Sequence, residues 1–295
     1  MPSDLSRRQY DWSGFAAVTA AERCHLRTTY ASAAPFPHLV IDGLFPTDQL
    51  APVVEDFDAA PPGTWRDIQS GLQRKRATPP DSPLPAHVQE YFNTLNSGPF
   101  IRFLSDVTGI ANLIPDPALH GGGMHEVGEG GGFEIHIDFE QHPRTFLRNR
   151  LVVITYLNDH WLPEDGGNLE LWHMKPPRCA ARITPIFGRT VILEQSRLAA
   201  HGHPQPIRHG RKRRSVTAYF YTNERAPVST SNLLPTTYIP HKGYSVAKRI
   251  ELAARLVVPP IILMSVRAAG TFAHTSFMRA HGPRSGPGTA DSSSV

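Results

Sequence analysis

The spacing of hydrophobic residues changes period along this chain of 295 residues. Over the first third, beyond a short apolar strand at 36–42, the spacing is helical. Leu50, Val53, Val54 and Phe57 fall at i, i+3, i+4 and i+7 behind Pro46-Thr47-Asp48, where Thr47 or Asp48 can cap an amphipathic helix. Val88, Phe92 and Leu95 predict a second helix, and Phe100, Phe103, Leu104 and Val107 a third. Gly98-Pro99 separates the two and Gly109 closes the last. Between the first and second helix, 61–85 is rich in proline and charge and reads as a long surface loop. Residues 1–30 show no clear period and read as a loose arm.

From about residue 131 the period shortens to two. In Gly131-Gly132-Phe133-Glu134-Ile135-His136-Ile137-Asp138-Phe139 the apolar residues alternate with Glu134, His136 and Asp138. That is the pattern of a half-buried strand with one apolar face and one polar face. Short strands follow at 151–157, 168–172, 181–186, 190–194 and 213–221, with Asp165-Gly166-Gly167 as a turn. Helices followed by many short strands predict a sheet-based barrel or sandwich with helices packed outside. Past residue 226 a helical pattern returns behind Ser245, through Ile250, Ala253 and Val257, and is interrupted at Pro259-Pro260. The last residues, rich in Gly, Pro and Ser, predict a disordered tail.

Composition mostly excludes. A formal charge of +4 and 19% charged residues are ordinary for a globular chain, so nucleic acid is not an expected partner despite the basic run Arg208 to Arg214. Cys24 and Cys179 form no CxxC pair, which sets aside a disulfide framework or zinc finger. The glycines around 121–132 are not followed by GK[ST], so they read as turns rather than a phosphate cradle. The apolar stretch 256–266 is too short to span a bilayer. No secretory signal pattern is present, and a cytoplasmic setting is expected.

The chemistry centres on the strand at 131–139. His136 and Asp138 are two apart and share its polar face, so both can grip one ion. A third ligand is offered by His201 or His203 in Ala200-His201-Gly202-His203-Pro204, with Gly202 and Pro204 favouring a turn. Two histidines and one carboxylate leave metal positions open, which suits non-haem Fe(II). On the strand at 213–221, Arg213, Ser215, Thr217 and Tyr219 share one face. A buried arginine there needs an anion, and its fork matches a carboxylate. Arg214 is the alternative, on the opposite face.

These pieces come in an order that resembles the 2-oxoglutarate/Fe(II)-dependent dioxygenases of the prolyl 4-hydroxylase-like type. The matching motifs are Gly-Gly-Phe before His136-x-Asp138-Phe139, Tyr156-Leu157-Asn158 before Trp161, and Gly166-Gly167-x-Leu169-Glu170-Leu171-Trp172. They continue with His201-Gly202-His203-Pro204-x-Pro206 and with Arg213-Arg214-Ser215 leading to Tyr219-Phe220-Tyr221. The resemblance implies a mixed α and β fold, with a double-stranded β-helix (jelly-roll) core flanked by N-terminal helices and a C-terminal helical extension. The implied organisation is a loose arm at 1–30, an oxygenase domain at 31–225, a helical extension at 226–275 and a disordered tail at 276–295.

It also implies His136, Asp138 and His201 as iron ligands. Arg213 would pair with the distal carboxylate of 2-oxoglutarate, and Tyr156 would assist by hydrogen bonding. The cofactors are then Fe(II), 2-oxoglutarate and dioxygen, with ascorbate as an accessory reductant. The activity is hydroxylation of an unactivated C–H bond with release of succinate and CO2. Asp138, in place of glycine or alanine, favours hydroxylation over halogenation. The rival readings are a zinc-dependent hydrolase on the same ligands and a catalytically silent jelly-roll that binds a partner. The substrate, a small molecule or a peptide, would be read by 61–85, 120–131 and 140–149.

Overall fold

The computed structural model describes residues 13–224, 236–240 and 243–257. The chain divides into two compact units, Met1–Lys242 and Gly243–Val295. In the second, helix α5 spans Val246–Val257, and the Ser245 hydroxyl accepts from the Lys248 backbone N–H at 3.3 Å. The expected continuation of that helical pattern beyond Val257, and the tail, lie outside the described residues.

In the first unit, helices α1 (Ala20–Ser32), α2 (Thr47–Ala59), α3 (Ala86–Leu95) and α4 (Gly98–Thr108) precede most of the sheet. The apolar residues that predicted α2, α3 and α4 are buried, except Val54, which is half-buried. Leu50, Val53, Phe57, Val88, Phe92, Leu95, Phe100 and Phe103 join one core cluster with strand residues Leu151, Val153, Ile192, Val216, Ala218 and Phe220. Each such side chain contributes about 1.5–3 kcal/mol on leaving water. Ser97 caps α4 through the Phe100 N–H, and Gly109 ends it in the left-handed conformation. Pro46, rather than Thr47 or Asp48, stands at the α2 N-cap and makes no side-chain cap bond.

Part of the stretch read as a loose arm is ordered. Ser13–Ala16 form a 3-10 turn, and α1 starts at a reciprocal box between Thr19 and Glu22. Apolar spacing does not show this helix because Tyr30 is its only buried residue. Residues 1–12 lie outside the described residues.

The strands are β1 (His38–Asp42), β2 (Arg66–Ser70), β3 (Gln73–Ala77), β4 (Ile114–Pro115), β5 (Gly123–Val127), β6 (Gly132–Ile137) and β7 (Arg148–Tyr156). They continue as β8 (Leu169–Met174), β9 (Pro177–Ile183), β10 (Arg189–Glu194), β11 (Ala200–His203), β12 (Arg213–Thr222) and β13 (Thr237–Tyr238). All pair antiparallel, in the order β1-β10-β7-β12-β5-β3-β6-β11-β8-β9. This curled sheet is the jelly-roll core. On β7 and β12 alternate residues face opposite ways. Leu151, Val153, Val216, Ala218 and Phe220 pack under the helices, whereas Val152, Ile154, Arg213, Ser215, Thr217 and Tyr219 line a cavity.

The stretch 61–85 is not simply a surface loop. It contains the β2–β3 hairpin, and β3 pairs with both β5 and β6, so it bridges the two halves of the sheet. Arg66 and Ile68 on β2, and Gln73, Lys75 and Ala77 on β3, alternate toward the cavity. With polar residues on both faces, the hairpin has no hydrophobic alternation to read in the sequence.

Candidate metal centre

Strand pairing brings the candidate ligands together. His201 on β11 is directly opposite His136 on β6, and their ring centroids are 4.7 Å apart. Asp138 lies just past the end of β6. Its Oδ1 is 3.3 Å from Nε2 of His136, and its Oδ2 is 3.5 Å from Nε2 of His201. All three side chains are buried, and their ligand atoms lie within 4.8 Å of one another. They are the only group of this kind among the described residues.

The protons on the imidazoles show what this arrangement accepts. Nδ1 of His136 is 2.7 Å from the Glu134 carbonyl, and Nδ1 of His201 is 2.9 Å from the Ala199 carbonyl. Each Nδ1 therefore donates to its carbonyl, and each Nε2 lone pair is left facing Asp138. Burial, foremost, lowers the pKa of His201 and favours its neutral ring. Burial opposes ionisation of Asp138, and the hydrogen bond it accepts from the Tyr219 hydroxyl favours the carboxylate. Two lone pairs and a carboxylate converging without a proton between them fit a divalent cation.

The surroundings fix this geometry. The Tyr219 hydroxyl donates to Asp138 Oδ2 at 2.9 Å, a role that the sequence did not reveal. Phe133 departs from the expected alternation. It turns to the cavity side and stacks on His136 with centroids 3.8 Å apart and planes 23° from parallel. Gly202 lets β11 approach β6, since a Cβ there would lie 2.7 Å from the Glu134 carbonyl oxygen.

His203 is not in the ligand group, but neither does it turn away as Gly202 and Pro204 suggested. Ala200–His203 is a strand, and both histidines line the cavity. His203 is buried beside Phe133, its Nδ1 has no hydrogen-bond partner among the described residues, and burial pushes its pKa well down. His125 also lines the cavity, with its pKa lowered to about 3 by burial first and the Lys75 charge second. His142 is buried elsewhere, 3.4 Å from Asp116.

The two arginines are separated by their partners. Arg214 pairs with Glu126 at 2.9 Å and with Asp58. Arg213 is buried and has no carboxylate partner among the described residues. Its Nε donates to the Gly167 carbonyl at 2.8 Å and its Nη2 to the Tyr156 hydroxyl at 3.2 Å. Burial depresses the Arg213 pKa and raises that of Tyr156. A guanidinium held this way on a cavity wall is set for an incoming anion. Gly167 shapes the seat, because a Cβ there would lie 2.9 Å from Arg213 Cδ.

The cavity has a volume of about 320 Å³ and holds His136, Asp138, His201 and Arg213 on one continuous lining. A metal and a dicarboxylate therefore fit the donors present, one end on the triad and the other on Arg213. No helix among the described residues is long and apolar enough to cross a membrane.

Comparisons with known proteins agree. Residues 122–221 match the model of the 2OG-Fe(II) oxygenase superfamily. No curated protein matches the chain. Among solved structures, a prolyl 4-hydroxylase from Phytophthora capsici aligns at 16% identity and TM-score 0.50, covering 84% of this chain and 75% of that one. An oxidoreductase of the 2OG-Fe(II) oxygenase family from Burkholderia pseudomallei aligns at 14% identity and TM-score 0.50, covering 69% and 94%. A prolyl-4-hydroxylase from Pseudomonas putida aligns at 16% identity and TM-score 0.48, covering 68% and 100%. At these identities the two likenesses at TM-score 0.50 show the fold alone. Fe(II) and 2-oxoglutarate are the cofactors of the matched family, and the triad and Arg213 lie inside the matched span. Residues 122–221, with the jelly-roll strands they contain, are what this chain has in common with the 2OG-Fe(II) oxygenase superfamily.

Proposed function

We propose that the protein is a 2-oxoglutarate-dependent hydroxylase in which His136, Asp138 and His201 hold Fe(II), and Arg213 with Tyr156 holds the distal carboxylate of 2-oxoglutarate. The observation that carries this assignment is the buried Arg213, which shares one cavity with the triad and has no carboxylate partner among the described residues. With both groups bound, the chemistry supplied is oxidative decarboxylation of 2-oxoglutarate coupled to insertion of one oxygen atom into an unactivated C–H bond, releasing succinate and CO2.

The chain's own residues bind, orient and exclude water. The Glu134 and Ala199 carbonyls keep Nδ1 of each histidine protonated and so keep Nε2 free for the metal. Tyr219 holds Asp138 Oδ2 and limits the carboxylate's rotation. Phe133 covers one face of the His136 ring and shields it from solvent. Arg213 neutralises the far end of the cosubstrate, and the Tyr156 hydroxyl keeps the guanidinium in place. Among the described residues Asp138 is the only carboxylate on the cavity lining, so a zinc hydrolase lacks a second acid there to act as base. The substrate is a small molecule or a peptide: peptidyl proline, a free amino acid or a natural-product intermediate. The free cysteines Cys24 and Cys179 support a cytoplasmic setting.

Incubation with Fe(II), 2-oxoglutarate and dioxygen should release succinate, with slow uncoupled turnover even without substrate. His136→Ala should abolish both metal uptake and succinate release while the protein stays folded. Full iron occupancy in His136→Ala, or no 2-oxoglutarate uptake by the wild type loaded with Ni(II), would refute the assignment.

A further inference from the structure

The cavity lining carries Lys75, a cation that the proposed chemistry does not use. Lys75, on the inward face of β3, reaches over the Phe133 ring with Nζ 4.4 Å from its centroid. Its ammonium makes no hydrogen bond or ion pair with any described residue, and the same ring stacks on His136 beside the metal site. Phe133 thus holds the ammonium beside the place of reaction without neutralising it. Burial, foremost, depresses the Lys75 pKa to about 8, so it is still largely charged at neutral pH.

Charge bookkeeping on the lining points to the partner. Among the described residues on the lining, Arg66, Lys75 and Arg213 are cationic side chains and Asp138 is the carboxylate. A divalent metal and a doubly charged 2-oxoglutarate cancel each other. The cavity then keeps an excess of two positive charges. Arg213 and the metal account for the cosubstrate, so Lys75, with Arg66 at the rim, faces whatever fills the remaining space. At about 320 Å³ in total, that space takes one small group. A lysine is a compact point charge that pairs with a single anionic group without the planar fit an arginine requires.

We propose that Lys75 is a specificity-determining residue that holds a carboxylate of the substrate, so that the enzyme acts on an acidic small molecule or an acidic side chain. This rests on reading the cavity as the 2-oxoglutarate/Fe(II) site. The hairpin that carries Lys75 also bridges the two halves of the sheet, which fixes the lysine relative to the triad.

The test uses the full chain loaded with Ni(II) and 2-oxoglutarate, so that binding is read by calorimetry without turnover. The probes are N-acetyl amino acids and their matched primary amides, with inorganic phosphate as a separate arm. The wild type should prefer acids over amides by about ten- to a hundred-fold, the effect of one charge-assisted pair. Lys75→Met should bring that ratio close to one, and Lys75→Arg should keep most of it. Affinity for 2-oxoglutarate should change less than about two-fold in Lys75→Met, well under one charge-assisted pair. Equal binding of acids and amides by the wild type, or an unchanged ratio in Lys75→Met, overturns the assignment. Loss of 2-oxoglutarate affinity in Lys75→Met also overturns it, since the cosubstrate would then be the lysine's anion. Phosphate binding tighter than every acid overturns the carboxylate. If the wild type takes up no 2-oxoglutarate at all, the oxygenase assignment fails instead, and the acid-to-amide comparison on the metal-loaded protein still decides Lys75.

Discussion

Adjacent residues of the same type do different work here because a strand turns alternate side chains to opposite faces. Arg213 faces the cavity and is bonded only to neutral oxygens, whereas Arg214 faces outward and is neutralised by Glu126 and Asp58. Their alanine variants should therefore fail in opposite ways. Arg213→Ala should weaken 2-oxoglutarate binding by about ten- to two-hundred-fold, the loss of one charge-assisted pair, with little change in metal affinity without cosubstrate. Arg214→Ala should leave cosubstrate affinity near wild type but lower stability by about 1–3 kcal/mol, because buried Glu126 loses a partner. Arg76, 2.8 Å from the same carboxylate, limits that loss. Calorimetric titration and urea unfolding of both variants separate the two effects. Arg213 lines the cavity and Arg214 does not, the separation that alternation along β12 predicts. His201 and His203 could not be separated the same way, since a β-bulge between them alters the register against β6 and both side chains stay on the cavity side.

At the scale of elements, the turn between β7 and β8 is what seats Arg213. Gly167 has φ of +61°, and a Cβ there would lie 2.4 Å from Ile207 Cδ1 as well as against Arg213. Gly167→Ala combines a left-handed backbone cost of about 1–2 kcal/mol with direct displacement of the guanidinium. Thermal unfolding should show the lower stability. Titration with 2-oxoglutarate should show weaker binding, and metal affinity without cosubstrate should be near normal. Normal cosubstrate affinity in this variant would mean that the turn does not position Arg213. Asp165-Gly166-Gly167 was legible as a turn from composition. Its second purpose was not, because it depends on β12, nearly fifty residues away in sequence.

At the scale of the molecule, the helices and the cavity lie on opposite sides of the same strands. Phe100 is fully buried under α4 against Phe220 of β12, whose alternate residues reach the cavity. Phe100→Ala should cost about 3–5 kcal/mol through lost transfer energy and the space left behind. Below its unfolding transition the variant should still bind Ni(II) with near-normal affinity, because the ligands sit on the other face. Denaturant unfolding and metal titration of one preparation measure both. Loss of metal binding in the folded variant would show that the helical layer tunes the site directly.

What the sequence determined by itself is everything that local periodicity encodes. The faces of α2, α3 and α4, the alternation along β12 and the sharing of one strand end by His136 and Asp138 follow from spacing, because side-chain direction in a helix or strand is set by neighbouring backbone. The tertiary structure decided what depends on distant pairing. It set His201 opposite His136, brought Tyr219 to Asp138, and paired Arg214 but not Arg213 with carboxylates among the described residues. It also turned the charged stretch at 61–85 into a cavity wall. That hairpin is polar on both faces, so no burial pattern marks it in the sequence. Its place is fixed by backbone hydrogen bonds to β5 and β6, which every residue type except proline can make equally well.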